Sequence, residues 1–153
     1  MRSKIDIRFT VDAEIDQVMD ALLAVDLMSE WSTSLSDVRV GPRDADGRPR
    51  RVFATAHFMG NSDDQVLEYT WEQYRSSWQV VDSSRGSKGG GWIELLETPE
   101  GGTEVDYHVE LSLPLPIPGI LFNRTLRKLH GETVANFIDF AERYPEIGGY
   151  AAG

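Results

Sequence analysis

The stretch from Gly101 to Tyr144 constrains the fold more than any other part of the chain. Val105, Tyr107, Val109, Leu111 and Leu113 alternate with Glu104, Asp106, His108, Glu110 and Ser112. That is the period-two pattern of a strand with one buried and one wet face. Pro114, Pro116 and Pro118 end it, because proline brings no N–H to a ladder. A helix is then expected from about Gly119 to Tyr144, with an apolar stripe of Phe122, Leu126, Leu129, Val134, Phe137, Ile138 and Ala141. Gly131 interrupts this helix. Glycine costs roughly 1 kcal/mol against alanine there, so it is expected to mark a bend or a close approach to the sheet. A half-buried strand leading straight into a helix with its own stripe predicts a helix laid across a curved sheet. Folds of that kind often enclose a cavity.

The rest of the chain fits this plan. Ile5, Ile7, Phe9 and Val11 alternate with Lys4, Asp6, Arg8 and Thr10, which predicts a half-buried first strand. Asp12 is placed to cap a helix, with Glu14 in its first turn and Ile15, Val18, Met19, Leu22 and Leu23 at helical spacing. A second short helix is expected over Asp26 to Trp31. From Leu35 to Leu113 the signal is mostly strand, punctuated by Asp46-Gly47, Gly60-Asn61-Ser62-Asp63 and Pro99-Glu100-Gly101-Gly102. Ser83 to Gly91 reads as loop. With no repeat and no linker, one domain over residues 1–147 is expected, followed by a small, glycine-rich and flexible tail at 148–153.

Composition removes several function classes. The formal net charge of -10 repels phosphate backbones, so no nucleic-acid partner is expected. There are no cysteines, which excludes disulfide scaffolds and thiolate chemistry. No apolar run approaches the roughly 20 residues of a membrane span, and no signal-peptide pattern is visible. A soluble, cytosolic domain is the expectation.

Val11-Asp12-Ala13-Glu14 followed by Val18, then Asp26 and Trp31, resembles the amino-terminal signature of the polyketide cyclase/dehydrase and lipid-transport group. This group belongs to the START-like (Bet v 1-like, SRPBCC) superfamily. Gly102-Thr103-x-Val105-x-Tyr107 is similar to that group's Gly-Thr-x-Val hairpin, and the resemblance runs from about Lys4 to Tyr144. It implies an α+β helix-grip fold. In that fold a curved antiparallel sheet of about seven strands wraps a long carboxy-terminal helix, with two short helices after the first strand. It also implies a hydrophobic or amphipathic small molecule held between sheet and helix, with no cofactor. Only some members of the superfamily are enzymes, and the fold does not select them.

The residues expected to contact such a ligand are Trp31, Phe58, Tyr69, Trp71, Trp78, Tyr107, Val109, Phe122, Leu126 and Phe137. Tryptophan and tyrosine offer large apolar area and one polar tip, which suits a flat or oxygenated ligand. The alternative for each is plain core packing, and Trp92 is ambiguous because both faces of its strand carry apolar residues. Three histidines stand alone in sequence. His57 points to solvent if Val52, Ala54, Ala56 and Phe58 point inward, His108 shares a polar face with Asp106 and Glu110, and His130 sits beside Gly131. None shows the partner that a general base needs, and no metal-ligand spacing appears. Strand alternation puts most of Asp63, Asp64, Glu68 and Glu72 in water. The glycine-rich stretch Ser83 to Gly91 lacks the order of a phosphate-binding loop and reads as a flexible hairpin or a lid. Leu113-Pro114-Leu115-Pro116-Ile117-Pro118-Gly119 reads as the strand-to-helix corner, with a cavity entrance or a partner or bilayer surface as alternatives. Three functions remain open: a carrier for a lipid, sterol-like or polyketide compound, a cyclase or aromatase, and a protein-interaction module.

Overall fold

The computed structural model describes residues 2–114, 116–147, 150 and 151. Strand β1 (Arg2–Val11) leads to helix α1 (Ile15–Leu23) and a 3-10 turn (Val25–Glu30). Six strands follow: β2 (Leu35–Val40), β3 (Arg51–Phe58), β4 (Asn61–Glu72), β5 (Arg75–Ser83), β6 (Lys88–Glu97) and β7 (Thr103–Ser112). Helix α2 (Gly119–Arg143) closes the domain, and a short ribbon of β8 (Glu146–Ile147) and β9 (Tyr150–Ala151) follows it. Of the expected tail, residues 148, 149, 152 and 153 lie outside the described residues.

The seven long strands form one antiparallel sheet in the order β1-β7-β6-β5-β4-β3-β2. β7 lies between β1 and β6, so the clearest strand in the sequence is also an interior one. Its Val105 and Thr103 are fully buried. The helix-grip architecture is therefore present, with α2 across the concave face. Phe122, Leu126, Thr133, Phe137, Phe140 and Ala141 form its buried side. Among the described residues no helix is long and apolar enough to cross a membrane.

Several local expectations are corrected. Helix α1 starts at Ile15, so Asp12 does not cap it. The Asp12 backbone N–H instead donates to Glu142 Oε2 of α2 at 2.8 Å. The second short helix is a 3-10 turn beginning at Val25. Ser83 to Gly91 is mostly strand, because β5 runs to Ser83 and β6 begins at Lys88. Gly89, Gly90 and Gly91 pair with Leu111, Glu110 and Val109 of β7. They gave no side-chain pattern by which a strand could be recognised.

Gly131 makes no close approach to the sheet. It is exposed, α2 runs through it without interruption, and a Cβ there would meet nothing within 4 Å. Gly131→Ala is therefore expected to raise the unfolding free energy by about 0.5–1 kcal/mol, as glycine's excess backbone entropy is removed. Urea denaturation followed by circular dichroism measures this.

Candidate functional site: a cavity between sheet and helix

The concave face of the sheet and the underside of α2 enclose a cavity of about 180 Å³. Its space comes from small residues. Gly89 and Gly90 of β6 line it, and a Cβ on the neighbouring Gly91 would collide with the Trp78 ring and the His108 carbonyl. Ala56 and Ser76 keep neighbouring parts of the wall short. A larger side chain at Ala56 or Ser76 would take up part of the volume.

An aromatic ladder crosses the floor. Trp71 stacks on Tyr69 with centroids 5.4 Å apart, Tyr69 meets Trp78 at 6.2 Å, and Trp78 meets Tyr107 at 6.4 Å. The ladder ends on α2, where the His130 ring lies 5.8 Å from that of Tyr107. Strand alternation produces this line, since Tyr69, Trp78 and Tyr107 occupy inward positions on β4, β5 and β7.

The polar tips of the ladder are mostly occupied. Trp71 Nε1 donates to the Pro49 carbonyl, and the Tyr69 hydroxyl donates to Met28 Sδ at 3.7 Å. The Tyr107 hydroxyl lies 3.2 Å from His130 Nδ1. Burial pushes the Tyr107 phenol well above its ordinary range and pulls His130 below the ordinary histidine value. Both groups are thus neutral near pH 7. Whichever tautomer the imidazole adopts, the pair uses one donor and one acceptor internally. It keeps one donor and one acceptor to offer elsewhere. Trp31, also in the wall, has a buried Nε1 with no hydrogen-bond partner among the described residues.

Of the residues predicted to contact a ligand, Trp31, Phe58, Tyr69, Trp71, Trp78, Tyr107, Val109 and Leu126 line the cavity. Phe122 and Phe137 do not. Each is buried one layer back, Phe122 against Phe58 at 5.5 Å and Phe137 against Trp31 at 4.9 Å. They support the wall without forming it. His130, not among the expected contacts, also lines the cavity. Its signal was the spacing Leu126, His130, Thr133 and Phe137, which puts the imidazole on the buried stripe of α2.

The other histidines lie elsewhere. The exposed His57 sits at the cavity rim and hydrogen-bonds Ser36 Oγ at 2.7 Å and Ser62 Oγ at 3.1 Å. His108 is on the convex face, stacked on Trp92 and bonded to Asp6 Oδ1. Trp92 is resolved the same way, since Arg75 covers its ring at 4.6 Å. Among the described residues no group of acidic or histidine side chains could hold a metal ion.

Asp63 departs from the expectation for the acidic residues. It shares the inward parity of Gln65, Leu67 and Tyr69 and is only 7% exposed. Its carboxylate accepts bonds from Gln65 Nε2, Ser83 Oγ, Ser84 Oγ and the Arg85 N–H, at 2.8–3.0 Å. These tie down the β5–β6 connection. Burial by itself would raise this carboxyl, but the hydrogen bonds outweigh it and lower it to about 2. A folded value below the unfolded one adds stability that is complete above about pH 4 and is lost as pH falls toward 2. The shift corresponds to roughly 2 kcal/mol. Asp63→Asn is expected to lose about that much at pH 7, with the gap to the parent protein closing in acid. Denaturant titrations at both pH values measure it.

The chain matches the family model described as polyketide cyclase/dehydrase and lipid transport over residues 2–140. It belongs to that family. Solved structures of similar fold include the Zhui aromatase/cyclase from Streptomyces sp. R1128, with TM-score 0.78 and 9% identity, covering 99% of this chain and 100% of that one. A START superfamily protein from Mycobacterium smegmatis has TM-score 0.73 and 16% identity, covering 91% of this chain and 94% of that one. A conserved protein from Geobacillus kaustophilus gives TM-score 0.73 and 12% identity, covering 94% and 97%. At these identities the likeness establishes the START-like fold alone. No curated protein sequence matches the chain. Family membership accounts for the helix-grip frame, while the His130–Tyr107 pair and the bare β6 floor are read from this chain's own residues.

Proposed function

We propose that this family member binds a hydrophobic or amphipathic small molecule in the cavity between sheet and α2, with the His130–Tyr107 pair orienting it. The observation that carries the reading is a largely apolar, aromatic wall holding one neutral donor–acceptor pair. Apolar burial contributes affinity at roughly 25 cal/mol per Å², and a ligand hydroxyl or carbonyl opposite the pair fixes its direction. The stacked floor favours a flat ring system. Native mass spectrometry with a panel of fatty acids, sterols and hydroxylated polycyclic aromatics tests the reading. One-to-one complexes with the aromatic members are expected, and no complex with any class would overturn it.

One observation favours a second reading, a cyclase-type enzyme. The His130–Tyr107 pair holds an exchangeable proton between two neutral groups facing a cavity, which is what the enolisation step of an aldol closure needs. Here His130→Gln would abolish turnover of a poly-keto substrate while leaving its binding within a few fold. Equal turnover in the two proteins would remove this reading.

A further inference from the structure

The chain carries a net charge of -10, yet no acidic residue lies between Glu110 and Glu132. That interval holds Arg124, Arg127 and Lys128, all exposed on the first half of α2. Among the described residues none of the three forms an ion pair, a property they share with Arg39, Arg43, Arg48, Arg50, Arg85 and Lys88, but they alone cluster on one stretch of helix with no acidic residue in sequence around them. Helical spacing puts Ile120, Arg124 and Arg127 on one line, turned away from the buried side that carries Phe122, Leu126 and Phe137. Ile120 is 79% exposed and Leu121 41%. Met59, also 41% exposed, follows Phe58, whose ring touches Phe122, so the β3–β4 hairpin tip lies beside the start of α2. The result is an apolar tip backed by three unpaired cations.

We infer that this face docks the protein on an anionic lipid bilayer. The apolar tip suits the headgroup boundary, and cations just behind it suit the charged surface. The remaining acidic surface is repelled by the same membrane, so only one orientation is stable. Field and repulsion both act within about 10 Å at ordinary salt, which makes the local cations decisive over the net charge. The docked end carries Leu113, Leu126 and Phe58, which also line the cavity. An amphipathic molecule leaving the bilayer would therefore meet the cavity at its nearer end. The docking itself does not depend on the ligand reading.

Flotation of the purified protein with vesicles tests this, using pure phosphatidylcholine and phosphatidylcholine mixed with phosphatidylglycerol. Binding is expected only to the mixed vesicles and should weaken as salt rises. Replacing Arg124, Arg127 and Lys128 by glutamine should weaken it roughly fivefold per cation, about a hundredfold together. Ile120→Ser with Leu121→Ser should weaken it about tenfold. Both variants change exposed positions and should keep the parent circular dichroism, and Arg43→Gln on the β2–β3 connection should bind as the parent does. No flotation with the anionic vesicles, or equal flotation of the glutamine variant, would overturn the inference. So would capture of an acidic protein on this face without vesicle binding. A protein that binds vesicles but none of the panel ligands would keep the docking and remove the ligand reading.

Discussion

Phe137→Ala is expected to lower the unfolding free energy by about 3–5 kcal/mol. The ring is 3% exposed and packs edge-on against Trp31 at 4.9 Å and Phe9 at 6.3 Å. It therefore joins α2 to both β1 and the segment after the 3-10 turn. Because Trp31 is a cavity wall residue, removing its support should also weaken ligand binding. Guanidinium denaturation gives the stability term. A loss below about 1 kcal/mol would mean that α2 is held mainly by other contacts.

Gly91→Val has a comparable effect for a different reason. The new Cβ would overlap the His108 carbonyl of the paired strand and the Trp78 ring, so either β6 separates from β7 or Trp78 moves into the cavity. Overpacking of this kind costs about 1–3 kcal/mol, and a backbone obstacle puts it at the upper end. Tryptophan fluorescence should shift with the displaced indole, and the cavity should shrink. Unchanged stability and emission would show that Gly91 is not needed for Trp78 and β7 to pack this closely on β6.

Elements with a side-chain period were legible in the sequence. β7 showed its two faces through Val105, Tyr107 and Val109, and α2 showed its stripe through Phe122, Leu126 and Phe137. Strand β6 was half hidden because three glycines carry no pattern, and only pairing with β7, and for Gly90 and Gly91 also with β5, defines them as strand. Asp63 followed the parity of Leu67 and Tyr69, but an acidic side chain on an inward position needs partners from β5 and the following turn, which are distant in sequence. The faces of Phe122 and Phe137 were legible while their depth was not, since helical spacing says nothing about where a cavity ends. His130 lay on the same stripe. Only the tertiary fold brought the Tyr107 hydroxyl to it.

Occupancy of the cavity by a small molecule is tested by a binding titration of a hydroxylated polycyclic aromatic, followed by tryptophan quenching, in the parent protein and in Val109→Trp. Val109 lines the cavity, and an indole there would fill much of it. Saturable one-to-one binding is expected in the parent, and binding at least about tenfold weaker in the folded variant, the effect of about 1.4 kcal/mol. Equal affinity in the two proteins would place the ligand outside this cavity.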